Sequence, residues 1–155
     1  MRLGLYSELA RESVVAGRAF IAARGYSPVS ADIRRCRQDL MKWQDQAVLE
    51  PLTKFDDFFV MSECRDLLFH VQECRFKLHQ IKKILAERGL RFVGFSPLDP
   101  SVSKEYAARF ADDPTQSNLD YWGFFELEFP ATFTSMYQFW VQKAVDRGSS
   151  ALASG

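Results

Sequence analysis

The chain has 155 residues, 47% of them hydrophobic and 26% charged, and its 20 basic side chains balance 20 acidic ones. This length suits one domain with one core, which we expect over residues 1–147, with a flexible tail over 148–155. Zero net charge argues against a nucleic-acid partner. No apolar run approaches the roughly 20 residues of a membrane span. Three cysteines without CxxC spacing favour reduced thiols and a cytoplasmic location.

The chain opens on a predicted strand at residues 2–6, a short apolar run. Ser7 suits the N-cap of a helix that follows and runs to about Arg24. A second helix is predicted to open at Ser30. Its apolar stripe recurs at helical spacing and comprises Ile33, Cys36, Leu40 and Trp43.

The middle of the chain combines a weak pattern with a strong one. Phenylalanines after Pro51 indicate a short buried helix, and residues 66–71 are interpreted as apolar and extended. Apolar residues at helical spacing then predict a helix from Leu78, which ends at Gly89. Residues 90–95 follow at once as a strand, an order typical of an α/β unit.

The last third predicts two more helices and a strand. The helices cover residues 103–110 and 119–129, the second rich in aromatic side chains, and the strand covers 136–142. We therefore expect an α/β fold with several helices and a three-stranded mixed sheet built from 2–6, 90–95 and 136–142.

Local motifs predict no activity by themselves. Cys64, His70, Cys74 and His79 have a spacing that matches no familiar structural zinc site, so we expect no metal. The sequence contains neither GxGxxG nor GxxxxGK[ST], so it has no recognisable phosphate-binding loop. An enzyme that uses Cys64 or Cys74 as a nucleophile with His70 stays open, because sequence cannot show their spatial adjacency.

A family resemblance goes further than these motifs. It is carried by LGLYSELAR (3–11), DIRRCRQ (32–38), CRDLLFHVQECRF (64–76), LRFVGF (90–95), LDYWGFFE (119–126) and MYQFWVQK (136–143). Together they resemble the C-terminal half of class I S-adenosylmethionine-dependent methyltransferases, particularly bacterial ones often fused to tetratricopeptide repeats. The resemblance implies a partial Rossmann-like sheet. In it 2–6 is the fifth strand, 90–95 the sixth, and 136–142 an antiparallel seventh strand between them.

The same resemblance implies an incomplete enzyme. In the complete family a glycine-rich loop and an acidic residue of the first half bind S-adenosylmethionine, and neither precedes Arg2 here. We expect a truncated module that binds no cofactor alone and is not catalytically competent alone. Strand 2–6 would then expose an apolar edge, which predicts a homodimer or a missing N-terminal half as partner.

Position in the family also suggests which residues face an acceptor substrate. These substrate-side candidates are Tyr6, Ser7, His70, Glu73 and Arg75. For Glu73 and Arg75 the alternative is a local surface ion pair worth under about 1 kcal/mol. The alternative function for the whole chain is a non-enzymatic interaction protein or an oligomeric protein that binds a small ligand.

Overall fold

A computed structural model describes residues 1–43, 50–70 and 72–144, and the chain divides into two compact units. Met1–Ser7 and Phe76–Gly155 form one of them, called here the sheet unit. Glu8–Arg75 form the other, called the helical unit. The predicted tail over 148–155 lies outside the described residues. The single domain expected over 1–147 stays a prediction.

Four strands and six α-helices make up the regular structure of the described residues. The strands are β1 (Arg2–Ser7), β2 (Arg75–Phe76), β3 (Leu90–Phe95) and β4 (Met136–Lys143). The helices are α1 (Glu12–Arg24), α2 (Ser30–Met41), α3 (Met61–Phe69), α4 (Leu78–Glu87), α5 (Pro100–Arg109) and α6 (Leu119–Glu128). Single turns of 3₁₀ helix cover Glu50–Lys54, Asp56–Phe58 and Pro130–Thr132.

The four strands form one sheet in the order β2-β1-β4-β3. Strand β4 runs antiparallel to both neighbours, pairing Leu3 with Phe139 on one side and Phe92 with Val141 on the other. The α/β class is confirmed, and the three predicted strands lie within one residue of their observed bounds. A fourth strand, β2, was not predicted. It gives β1 a second neighbour, but one of only two residues.

Aromatic side chains fill the core of the sheet unit. Alternate residues of β4 point inward, so Tyr137, Phe139 and Val141 are buried. Helices α4 and α6 cover this face, and the Trp122 ring of α6 stacks on Tyr106 of α5 at 3.9 Å between ring centroids. The high aromatic content of this region therefore serves packing within the unit.

The core of the helical unit is aliphatic, with a few aromatic rings. The predicted stripe of α2 is buried at Ile33, Cys36 and Leu40, but its fourth member, Trp43, lies beyond the end of α2 and is 37% exposed. Gly17 of α1 lets Leu52 and Leu68 approach closely, since a Cβ there would lie 2.8 Å from Leu52 Cδ1 and 3.2 Å from Leu68 Cδ2. Side-chain size at this one position thus controls how closely α1 and α3 pack.

Two local predictions are wrong. The segment predicted to be extended over 66–71 is helical through Phe69, because Cys64, Leu67 and Leu68 form one buried helical face at i, i+3 and i+4. Residue 71 lies outside the described residues. The first helix begins at Glu12 and not after Ser7, because Ser7 ends the strand and donates its hydroxyl to a distant carboxyl group instead of capping a helix.

Within the described ranges, no helix combines the length and the apolar character that a bilayer span requires.

Candidate functional site

The five substrate-side candidates fall into the two units. Tyr6 and Ser7 end β1 in the sheet unit, whereas His70, Glu73 and Arg75 belong to the helical unit. Ser7 and Glu73 each belong to a polar cluster of their own unit, and a surface cavity lies elsewhere in the sheet unit. Each is described separately below.

In the sheet unit Ser7 belongs to a buried cluster around Glu126, called here the Glu126 cluster. Ser7 Oγ donates to Glu126 Oε1 at 2.7 Å. The Tyr137 hydroxyl lies 2.9 Å from Oε1 and 2.7 Å from Oε2 of the same carboxyl group. Ser7 and Tyr137 are fully buried, and Glu126 is 5% exposed. The cluster joins the end of β1 to α6 and to β4.

Helical and strand periodicity explain how the cluster forms. Glu126 follows Leu119 and Trp122 on the buried face of α6 at i+7 and i+4. Tyr137 is an inward-facing residue of β4. We did not predict Glu126 or Tyr137 as site residues. The available signal was an acidic residue in an otherwise apolar helical stripe, since acidic side chains are almost never buried without partners.

The environment of Glu126 favours its neutral form. Burial raises the pKa of the Glu126 carboxyl group above its ordinary value of 4.5, while the hydrogen bonds from Ser7 and Tyr137 act in the opposite direction. The carboxyl group has too little exposed surface to reach a substrate. The cluster can therefore position the end of β1, and with it Tyr6, but it cannot itself act on a ligand.

In the helical unit Glu73 binds two arginine side chains of the first helical segment, and the three form what we call the Arg11–Arg18–Glu73 cluster. Arg11 Nε donates to Glu73 Oε1 at 3.0 Å, and its Nη2 donates to Oε2. Arg18 Nη2 donates to the same Oε2 at 3.1 Å. The side chain of Glu73 is 6% exposed. Glu73 is thus held in a buried ion pair with residues far away in sequence, not in a local surface pair with Arg75.

The two guanidinium groups decide the charge of Glu73. Burial alone would raise the pKa of this carboxyl group, but the hydrogen bond and charge of Arg11 and the charge of Arg18 outweigh it, so the pKa is lowered. Glu73 is therefore ionised at neutral pH and acts only as an acceptor. Arg18 also donates from Nε and Nη2 to the Leu67 carbonyl, one of the last carbonyls of α3. Such carbonyls have no partner within their own helix.

His70 and Arg75 belong to neither cluster. His70 follows α3 and is exposed, and Arg75 is half-buried at the start of β2. Cys64 is buried, which raises its thiol pKa, so it is a poor nucleophile at neutral pH, whereas Cys74 is exposed. Among the residues described, no three His, Cys, Asp or Glu side chains come together as a metal site would require.

A surface cavity of about 500 Å³ lies between α4, β3 and the beginning of α6. Apolar side chains including Leu85 and Phe92 line part of it, and charged groups at its rim include Arg91 and the ion pair of Lys82 with Asp120. None of the five substrate-side candidates lines this cavity. Its volume is in the range of small-molecule sites, but it is open to solvent and its lining is more polar than is usual for them.

No protein-family model matches this sequence, and no curated protein matches it either.

Proposed function

We propose that the chain is a methyltransferase-like module that supplies the last three strands of a class I methyltransferase sheet and does not bind S-adenosylmethionine alone. The observation that carries this proposal is the strand order β1-β4-β3, with β4 antiparallel to both neighbours. It is the order that the family resemblance implies for the fifth, seventh and sixth strands.

The strand order supports the proposal because it is not the simplest one. Strands that follow each other in sequence are usually neighbours in a sheet. Strands β1 and β2 are neighbours, as are β3 and β4, but β2 and β3 lie at opposite edges and β4 lies between β1 and β3. An order of this kind differs from that of a plain meander and is what the resemblance implies for a methyltransferase-like sheet.

The glycines argue against a cofactor loop in the described part of the chain. Gly25 and Gly89 follow the ends of helices, and the other described glycines lie inside strands or helices. None lies between the end of a strand and the beginning of the helix after it, where a dinucleotide-type loop needs glycine. This distribution of glycines supports the proposal that the described residues do not bind S-adenosylmethionine alone. We assign this chain no step that involves the cofactor.

In this proposal the chain contributes the acceptor side of a larger site. The Glu126 cluster fixes the carboxyl end of β1, and ligands of open α/β sheets bind at the carboxyl ends of strands. Tyr6 at this strand end and the exposed His70 are the candidates that would face a substrate. The missing cofactor side would come from a first-half polypeptide.

Calorimetry with S-adenosylmethionine tests the cofactor part of the proposal. We expect no binding at micromolar concentrations by the chain alone. Saturable micromolar binding would show that the module holds the cofactor itself, and the proposal would then be wrong on this point.

Engineered disulfides test the strand order. In a Cys74→Ser background, Gly4→Cys with Gln138→Cys joins paired residues of β1 and β4, and Arg91→Cys with Gln142→Cys joins β3 to β4. Both pairs should cross-link on mild oxidation. The matched control, Gly4→Cys with Arg91→Cys, places the thiols on strands separated by β4 and should not. Cross-linking only in the control would remove the basis for a methyltransferase-like module.

A binding protein is the second candidate function, and two features favour it. One is the cavity beside Lys82 and Asp120. The other is an apolar patch on α6, where Phe124 and Leu127 are 62% and 70% exposed. Patches of this kind often mark contacts with other proteins, and we propose a homodimer as the simplest assembly. Gel filtration at micromolar concentration should give a dimer, and a clean monomer would exclude it.

A further inference from the structure

Arg18 has unused hydrogen-bonding capacity at the edge of a buried charge cluster. A guanidinium group has five N–H donors. Nε and Nη2 of Arg18 bind the Leu67 carbonyl and Glu73, whereas Nη1 donates to none of the described residues. In the described ranges, the only buried side-chain nitrogen or oxygen atom without a partner is Ser13 Oγ. Arg18 Nη1 also has no partner there, so it is not buried and is in contact with solvent.

The net charge of the three side chains in the cluster would also attract an anion. Arg11 and Arg18 each carry one positive charge and share the single negative charge of Glu73, so the three side chains sum to +1. Their side chains are 5%, 16% and 6% exposed. Because charges interact more strongly where water is excluded, an anion beside this cluster is attracted more strongly than one beside an exposed arginine.

We propose that Arg18 Nη1 is a binding site for the oxyanion group, carboxylate or phosphate, of a small ligand. The ligand oxygen accepts from the free donors of Arg18 and leaves Glu73 in place between the two guanidinium groups. A singly charged ligand brings the summed charge of the ligand and these three side chains to zero. The site is independent of the methyltransferase proposal, since it requires only contacts within the helical unit.

Sodium acetate and sodium phosphate, titrated separately at constant ionic strength, are suitable probes. The side-chain Nε–H resonance of Arg18 in ¹⁵N NMR reports binding at this residue. We expect a saturable shift with at least one probe, and the better probe identifies the chemistry of the natural ligand. In Glu73→Gln the competing negative charge is gone, and affinity should rise by about tenfold or more.

Two substitutions of arginine separate the site from general electrostatics. Arg18→Gln should abolish saturable binding, followed on backbone amides, and Arg18→Lys, which keeps the charge, should retain a weaker affinity. Arg35→Gln is the matched control, because Arg35 is 70% exposed and, among the described residues, forms an ion pair with Asp32 alone. Circular dichroism of each variant checks that the fold is intact. Unchanged binding in folded Arg18→Gln, or no binding by folded wild-type and Glu73→Gln proteins, would overturn the proposal.

Discussion

Tyr137→Phe should destabilise the sheet unit, and the hydrogen bonds of the Glu126 cluster give the size of the expected loss. The substitution removes only the hydroxyl group, which donates to Glu126 at 2.7–2.9 Å in a fully buried position. Removing one partner of a buried polar group costs about 1–3 kcal/mol, so we expect a loss of about 2 kcal/mol in the free energy of unfolding. For a chain of this length that loss corresponds to a fall in Tm of roughly 4–8 °C.

Urea unfolding followed by tryptophan fluorescence measures this loss, because Trp122 is buried in the same core. Tyr121→Phe is the matched control. It removes the same atom from a tyrosine whose hydroxyl group binds Asp112 at an exposed position, so the cost should be under about 0.5 kcal/mol. If Tyr137→Phe destabilised the protein no more than Tyr121→Phe does, the Glu126 cluster would not hold the sheet unit together as described.

Three further predictions concern other parts of the fold. Because burial raises the pKa of Glu126, the folded protein keeps the Glu126 proton at pH values where the unfolded chain has lost it. The free energy of unfolding should therefore fall as pH rises from 4.5 through the folded pKa. Denaturant unfolding at a series of pH values measures this fall, which should disappear in Glu126→Gln. Asp113→Ala should lower the free energy of unfolding in urea by about 3 kcal/mol, since Asp113 accepts from two backbone amides and the buried Tyr106 hydroxyl. The control Asp112→Ala should lower it by under about 1 kcal/mol. By thermal unfolding Gly89→Ala should destabilise by about 1 kcal/mol because φ is +61° there, and Gly123→Ala, with open space inside α6, should stabilise by about 0.5–1 kcal/mol.

The sequence was sufficient for most of the sheet unit, and the reason is local. Residues 90–95 are an apolar run directly after a helix and a glycine, and 136–142 alternates apolar with polar side chains, so each signal lies within one short window. Strand β2 has only two residues, which is too short for any periodicity. Over 66–71 the apolar run was interpreted as a strand because short apolar runs fit either structure.

The polar clusters could not be derived in the same way. Ser7 and Glu126 are 119 positions apart in sequence, and Glu73 and Arg11 are 62 apart. No local pattern encodes pairing at such distances. Ser7 was interpreted as a helix cap and Glu73 as a possible partner of Arg75, because sequence alone suggests only partners that are near along the chain. The unusual position of Glu126 on an apolar helical stripe was visible, but its partners were not.

The position of β4 has a consequence for how the protein folds during synthesis. Strands β1 and β3 do not pair with each other, and the strand that joins them comes last of the four along the chain. Its contacts extend to Met1, whose carbonyl accepts from the Val141 amide at 2.9 Å. While residues 136–143 are still inside the ribosome, β1 has only the two residues of β2 beside it and β3 has no neighbouring strand. A nascent chain should therefore keep its aromatic side chains exposed to chaperones until residues 136–143 have left the ribosome.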